Sequence, residues 1–188
     1  MLVSANNSAL RPHVRLFTDG ACSPNPGVGG WAYILKHPST GASKEGSGGE
    51  HATTNNRMEI MAVIQGLEAL KVPSTVDLYS DSEYVVKALT GWMETWKRFG
   101  WKRTKNAKTP VKNADLWQRL DAVRQIHIVG AKWVRGHVGH PENERCDQLA
   151  EAAVVRIAQT SPPPRQMSEL PLDDIFASGQ SADENKAG

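Results

Sequence analysis

Three carboxylates stand at positions where the surrounding pattern would bring them together. Asp19 follows residues 14–18, whose alternating side chains predict a β-strand, and Asp81 follows a second predicted strand, residues 75–80. If these strands are parallel neighbours, both carboxylates lie at the carboxyl edge of the sheet, where α/β proteins commonly carry their sites. Glu59 borders the apolar stripe of a predicted helix and should lean towards the same edge. Such a like-charge cluster repels itself, and bound Mg²⁺ or Mn²⁺, which prefer oxygen ligands, would relieve the repulsion.

Two more polar residues could join this cluster. Asp147 lies near the start of the last predicted helix, and His137 lies in the glycine-rich turn before it, where an exposed imidazole can shuttle protons. Ordinary structural roles remain open for all of these residues. Asp19 could belong to a turn, and Asp81 could cap a helix. Asp147 could serve only the electrostatics of a helix start, and His137 could be a plain surface residue.

The positive charge of the chain is concentrated in one segment. The chain has 22 Lys or Arg against 20 Asp or Glu, yet residues 87–112 hold eight cations and one carboxylate, Glu94. Trp92, Trp96 and two further aromatic residues interleave with these cations. Cations that hold phosphates, with rings that stack on sugars or bases, are typical of a groove for a polyanion. A solvated basic face, with the rings in the core, is the alternative.

Length and composition favour one globular domain with two polar extensions. The 188 residues are 39% hydrophobic, which suits a single core and argues against disorder throughout. We expect a flexible N-terminal extension at residues 1–12, a domain at 13–160 and a disordered tail at 161–188, which is rich in proline and acidic.

The order of elements predicts a mixed α/β sheet, because strands come first and then alternate with helices. Residues 19–30 are predicted as a loop, and Thr54 as the cap of the clearest helix. The predicted strands are residues 14–18, 31–35, 44–52, 75–80 and 126–134. The predicted helices are residues 55–71, 81–89, 114–124 and 141–159.

The two cysteines, Cys22 and Cys146, are far apart in sequence and predict free thiols in a reducing compartment. A zinc site made from them with His137 and His140 fits no ordinary spacing. No stretch predicts a membrane helix or a signal peptide, so we expect a cytoplasmic protein with no membrane partner.

Five segments, in this order, strongly resemble bacterial ribonuclease HI. They are FTDGAC at 17–22, TTNNRME at 53–59, SDSEYV at 80–85, PVKNADLW at 110–117 and GHVGHPENERCD at 136–147. The resemblance covers residues 13–158 and implies the ribonuclease H-like fold. That fold is a five-stranded mixed sheet flanked by helices, with strands one to three antiparallel and strands four and five parallel to strand one.

The resemblance also implies an activity, which is hydrolysis of the RNA strand of RNA/DNA hybrids to leave 5′-phosphate and 3′-hydroxyl ends. A monomer is implied as well. Two Mg²⁺ ions would be held by four carboxylates, and Mn²⁺ would substitute for them. These implied metal ligands are Asp19, Glu59, Asp81 and Asp147. His137 would deprotonate water or help the product leave.

The implied substrate contacts divide between the two strands of the hybrid. Those to the RNA strand and its 2′-hydroxyls are Cys22, Asn25, Asn55 and Glu59. Those to the DNA strand are Thr54 and Asn113 at a phosphate, and Trp92 and Trp96 along deoxyribose. The basic run from Lys97 to Lys112, which includes Arg98, would grip the backbone. Glu83 stands where well-known bacterial members have Gln and would face the RNA, and Ala52 stands where a basic residue is common.

Two other functions share parts of this pattern. A hybrid- or double-stranded-RNA-binding module on the same fold would need damaged catalytic positions, and all four carboxylates are present here. Another nuclease of the superfamily, such as a DNA exonuclease or resolvase, would not need the tryptophan-rich basic segment. The tail at 161–188 has no counterpart in the resemblance, and an unknown partner for it is left open.

Overall fold

A five-stranded mixed sheet forms the centre of the computed structural model, which describes residues 11–136 and 139–160. The strand order is β3-β2-β1-β4-β5. The strands are β1 (His13–Cys22), β2 (Gly27–Lys36), β3 (Ser43–Thr53), β4 (Thr75–Ser80) and β5 (Ile128–Trp133). Strands β1, β2 and β3 pair antiparallel, while β4 pairs parallel with both β1 and β5. This confirms the predicted topology. The tail at 161–188, His137 and most of the extension at 1–12 lie outside the described residues.

Helices cover both faces of the sheet. They are α1 (Asn55–Glu68), α2 (Glu83–Lys87), α3 (Met93–Arg98), α4 (Ala114–Arg124) and α5 (Pro141–Ala158), with a π-helical turn (Ala88–Trp92) between α2 and α3. Because side chains alternate along a strand, Leu16 faces the core under α1 and α4, whereas Phe17 faces α5. Phe17 packs there with Cys146 and Ala150 of α5. The fold therefore has three layers, with the sheet in the middle.

Two predicted segments, a loop and a helix, differ most from the structure. The predicted loop at 19–30 shrinks to residues 23–26, because β1 and β2 continue their antiparallel pairing through Cys22 and Gly29. The predicted helix at 81–89 begins at Glu83 and continues through the π-helical turn and α3 to Arg98, and its cap is Ser82 rather than Asp81. Ser82 Oγ accepts a hydrogen bond from the Val85 amide, which leaves the Asp81 carboxylate available for other contacts.

The larger core lies between the sheet, α1 and α4. Trp117 of α4 is fully buried and contacts the rings of Tyr84 and Trp96 at centroid distances of 5.3 and 5.6 Å. Its indole N–H donates to Tyr84 Oη at 3.3 Å. One side chain thus joins α4 to α2 and α3. None of the helices in residues 11–136 and 139–160 is long and apolar enough to cross a bilayer.

Trp117→Ala should lower the free energy of unfolding by about 3–5 kcal/mol, because it leaves a large cavity and removes the indole hydrogen bond. Urea denaturation of the full chain, followed by circular dichroism, measures this decrease. Ile126→Ala is the control, since Ile126 is 53% exposed and its truncation should cost less than about 1 kcal/mol. Equal decreases for the two variants would contradict the central role given to Trp117.

Candidate active site

Asp19 and Asp81 come from neighbouring parallel strands. In the register of β1 and β4, Thr18 lies opposite Ser80, so the next residue on each strand is one of the two carboxylates. Asp19 Oδ1 accepts a hydrogen bond from the Gly20 amide at 2.7 Å. The structure therefore places this pair side by side at the carboxyl end of β4.

Glu59 reaches the same place because α1 packs unusually close to β1. A Cβ atom on Gly20 would lie 2.3 Å from the Glu59 amide nitrogen, so only glycine permits this approach. The Glu59 carboxylate is then fixed by two donors. Asn55 Nδ2 donates to Oε1 at 2.9 Å, and Ser82 Oγ donates to Oε2. Glu59 is held between the start of α1 and the start of α2.

Three residues around the β5–α5 connection hold Asp81. Asn143 Nδ2 donates to Asp81 Oδ2 at 3.2 Å, and the Trp133 indole donates to the Asp81 carbonyl at 2.9 Å. A Cβ on Gly136 would lie 2.6 Å from Asp81 Oδ2. The sequence analysis missed these three residues. Gly136 and Asn143 do lie in the segment at 136–147 on which the resemblance to ribonuclease HI rests, but that resemblance gave them no role.

Asp147 completes the acidic groove from the opposite face of the sheet. This groove has a volume of about 910 Å³, and Asp19, Glu59, Asp81 and Asp147 all line it. Glu151, one turn after Asp147 on α5, adds a fifth carboxylate that the sequence analysis did not single out. Val154, Val155 and Ala158 of α5, and Gln159 after it, line the rest of this wall.

Burial and mutual repulsion raise the pKa of two of these groups. The pKa of Asp19 rises from 3.8 to about 8, chiefly through burial and then through the charges of Asp81, Asp147 and Glu59. Burial also raises the pKa of Glu59, as does the charge of Asp81, while the hydrogen bonds from Ser82 and Asn55 oppose the rise. The groove thus disfavours the ionised forms of Asp19 and Glu59.

The donor set suits a hard divalent cation. All of the converging groups are carboxylates, and oxygen-only ligation favours Mg²⁺ or Mn²⁺ over zinc. In residues 11–136 and 139–160, no three His, Cys, Asp or Glu side chains are already drawn together as a closed metal cage. Two features therefore suit the groove to Mg²⁺ or Mn²⁺. Its donors are carboxylates, and a bound cation would relieve the repulsion around Asp19.

Of the residues expected to contact the RNA strand, Cys22, Asn55 and Glu59 line this groove. Cys22, half-buried, donates its S–H to the Pro24 carbonyl at 3.2 Å and lines the groove. Asn25 is exposed, and its Oδ1 accepts from the Asn55 amide at 3.2 Å. Glu83 lies at the start of α2 and pairs with Lys87 at 2.5 Å.

A second depression, the aromatic cleft, lies where α1, α2, α3 and the loop before α4 meet. Its volume is about 480 Å³. It is lined by Asn56, Tyr84, Trp92, Thr95, Trp96, Arg103, Val111 and Lys112. Trp92 is 42% exposed there, whereas Trp96 is 8% exposed and belongs mostly to the core. Of the two tryptophans expected along deoxyribose, Trp92 presents the accessible ring.

Thr54 and Asn113 lie at the starts of α1 and α4. Thr54 occupies the predicted cap position, but its buried Oγ1 has no hydrogen-bond partner among the described residues. Asn113 has a φ of 61° and donates to Tyr84 Oη at 3.5 Å. The paired hydrogen bonds from Arg57 to Asp115, at 3.0 and 2.8 Å, tie the two helix starts together.

Lys97 and Arg98, the first two cations of the basic run, differ in their surroundings. Lys97 Nζ lies 3.0 Å from the carboxylate of Asp121, so it is committed within the domain. Arg98 is exposed. His137 lies outside the described residues, and its expected role stays a prediction.

Comparison with known proteins agrees with this architecture. The profile of the RNase H family matches residues 11–155. A ribonuclease H of Bradyrhizobium diazoefficiens is 59% identical over 145 residues, which are 77% of this chain and 92% of that protein. A ribonuclease H of Rhodopirellula baltica is 56% identical over 154 residues, covering 81% and 97% of the two chains. The chain belongs to the ribonuclease H family.

Solved structures of ribonucleases H share the fold. LC9-RNase H1, a type 1 enzyme with the type 2 active-site motif, superimposes with a TM-score of 0.69 and is 31% identical, covering 80% of this chain and 74% of that one. LC11-RNase H1, solved in complex with an RNA/DNA hybrid, has a TM-score of 0.60 at 21% identity, covering 77% and 99%. The family profile and the bacterial relatives confirm the resemblance to bacterial ribonuclease HI.

Asp19→Asn should stabilise this ribonuclease H in the presence of a chelator. Between the pKa of Asp19 in an unfolded chain, 3.8, and its folded value of about 8, the folded state holds a proton that the unfolded state releases. Stability therefore falls as pH rises through this window, and asparagine removes that dependence. We expect a gain of about 2–5 kcal/mol at pH 8 and almost none at pH 4.

Thermal denaturation at both pH values measures this gain, with Asp77→Asn as the control. Burial raises the pKa of Asp77, but hydrogen bonds from His13 and Lys132 outweigh it and lower the pKa overall. Removing that carboxylate should therefore destabilise the protein slightly at pH 8. A gain for Asp19→Asn that is equal at pH 4 and pH 8 would contradict the electrostatic explanation.

Proposed function

We propose that this ribonuclease H hydrolyses the RNA strand of RNA/DNA hybrids. The main observation in support is the start of α1, whose residues line both the acidic groove and the aromatic cleft. Asn55 and Glu59 line the acidic groove, and Asn56 lines the aromatic cleft. A duplex that lies across this helix start would present one strand to the carboxylates and the other to the exposed ring and cations. The hybrid-bound LC11-RNase H1, which has the same fold, supports this substrate.

The proposed reaction is an in-line displacement at phosphorus. A water oxygen attacks the phosphorus atom, the bond to the ribose 3′-oxygen breaks, and the products carry a 5′-phosphate and a 3′-hydroxyl. Asp19, Glu59, Asp81 and Asp147 would hold two Mg²⁺ ions, or Mn²⁺ in their place, and the bound metal would supply Lewis-acid stabilisation and a water of lowered pKa. His137 would accept a proton or aid product release.

The chain contributes preorganisation to this reaction. Asn55 and Ser82 orient Glu59, while Asn143 and Trp133 orient Asp81. Ligands fixed by such outer hydrogen bonds need little rearrangement when charge develops on the phosphate. No nucleophilic side chain is required, and the half-buried thiol of Cys22 serves only as a neighbour of the RNA strand.

Discrimination between the strands follows from the two depressions. On the groove side, Cys22, Asn25 and Asn55 would sense the 2′-hydroxyls that only RNA offers. On the cleft side, the Trp92 ring would lie along deoxyribose, where a 2′-hydroxyl would clash. Thr54 and Asn113, at the two helix starts that the Arg57–Asp115 pair ties together, would hold a DNA phosphate.

Asp81→Asn should abolish turnover, by about 10³-fold or more, and leave the fold intact, since it removes one charge from the proposed metal ligands. The measurement uses labelled hybrid, single-stranded RNA and duplex DNA with and without Mg²⁺. Cleavage should be confined to the RNA strand of the hybrid and require Mg²⁺. Asp77→Asn, on the same strand but paired with His13, should remain active. Retained activity in Asp81→Asn would overturn the metal assignment, and cleavage of duplex DNA would overturn the substrate assignment.

Replacing Lys102, Arg103, Lys105 and Lys108 together with Gln should raise KM for the hybrid at low salt and leave kcat unchanged. For every phosphate that a removed cation had neutralised, the slope of log KM against log salt should fall by about 0.9, the value for B-form DNA. Lys71→Gln is the control, because Lys71 follows α1 at its far end. An unchanged salt slope in the quadruple variant would remove the basic segment from the interface.

A further inference from the structure

We propose that residues 169–176, the acidic tail segment E-L-P-L-D-D-I-F, bind in the aromatic cleft of the same chain and compete there with the hybrid. The competition rests on the proposed function, whereas the docking does not. Four observations carry the inference: the lining of the cleft, the unpaired cations around it, the chemistry of the segment, and the point at which the described chain ends.

The aromatic cleft suits a ligand that is apolar and acidic at once. Trp92, Trp96 and Val111 give it an apolar floor, and Arg103 and Lys112 stand at its rim. Across residues 11–136 and 139–160, five neighbouring cations form no ion pair with a described carboxylate. They are Lys102, Arg103, Lys105, Lys108 and Lys112. Two of them, Arg103 and Lys112, line the cleft beside the exposed Trp92 ring, and such a surface favours a carboxylate-bearing apolar partner.

The tail segment matches this surface in both respects. It holds three carboxylates and no cation, and it contains Leu170, Leu172, Ile175 and Phe176. Residues 161–188 as a whole have only one other large apolar side chain, Met167. Four of the five large apolar side chains of the tail, and three of its five carboxylates, therefore lie in one stretch of eight.

The segment is long enough to reach the cleft. At the end of α5, Thr160 Oγ1 lies 3.1 Å from His51 Nε2 of β3. Asn56, which lines the cleft, is five residues after His51. The Cα atoms of these two residues are therefore at most about 18 Å apart, at 3.3–3.6 Å per residue. Residues 161–168 can span about 30 Å when extended, and the three prolines among them favour an extended chain.

Tethering makes a weak interaction effective. A short linker gives the segment an effective concentration in the millimolar range, so even a modest affinity would occupy much of the cleft. The hybrid must then displace the segment before its DNA strand reaches Trp92. The expected consequence is a higher KM at low salt with an unchanged kcat, because saturating hybrid removes the competitor.

The test compares two variants of the full chain. The docking variant is Asp173→Asn, Asp174→Asn, Ile175→Ser and Phe176→Ser, which alters the segment. The control is Asp183→Asn with Glu184→Gln, which removes the same two charges elsewhere in the tail. The first readout is the NMR resonance of the Trp92 indole N–H without substrate, assigned with Trp92→Phe. The second is KM for the hybrid.

The docking variant should move the Trp92 resonance and lower KM about 3–10-fold, and the control should do neither. An unmoved resonance, or equal effects from both variants, would overturn the proposal. A resonance shift that disappears on tenfold dilution of the wild type would also overturn it, because the segment would then bind a second copy. If the resonance moves and no variant cleaves the hybrid, the docking stands and the proposed function fails.

Discussion

The repulsion among four carboxylates is the constraint on which the rest of this structure depends. Asp19 is half-buried, and this burial, together with the charges of Asp81, Asp147 and Glu59, raises its pKa to about 8. A fold gains nothing from such a cluster, since unpaired buried charge is destabilising. The cluster persists because β1, α1, α5 and the residue after β4 each supply one carboxylate, and the packing of these elements against one another sets their positions.

The backbone and a few polar side chains hold this arrangement in place. Because Gly20 has no Cβ, β1 can contact α1, and because Gly136 has none, there is room for the Asp81 carboxylate. These two glycines therefore determine how closely the carboxylates can approach one another. Donors then fix the carboxylates. Ser82 caps α2 and also donates to Glu59, so the same hydroxyl that begins a helix orients a proposed metal ligand. Stability and site geometry are coupled through that residue.

The sequence was sufficient to predict the parts of the fold that depend on periodicity. The bounds of β4 and α4 agree with the predictions to the residue, because alternation and a helical stripe are local signals. The loop predicted at 19–30 was too long because pairing between β1 and β2 outweighed the preference of glycine and proline for loops. The helix predicted at 81–89 began too early because Ser82, rather than Asp81, caps it. Trp133 and Asn143 could not be found in this way, because their hydrogen bonds with Asp81 span 52 and 62 residues.

Under the proposed function, the two depressions of the surface act together on one duplex. Both open beside the start of α1, and the Arg57–Asp115 pair ties that start to α4, whose Trp117 packs against Trp96 beneath the cleft. The spacing between the carboxylates and the Trp92 ring is therefore fixed by rigid helices rather than by loops. A duplex is itself a stiff object with two backbones at a set separation. A protein that must read both backbones at once needs such a fixed spacing, and here a single helix start, packed against sheet and helix, supplies it.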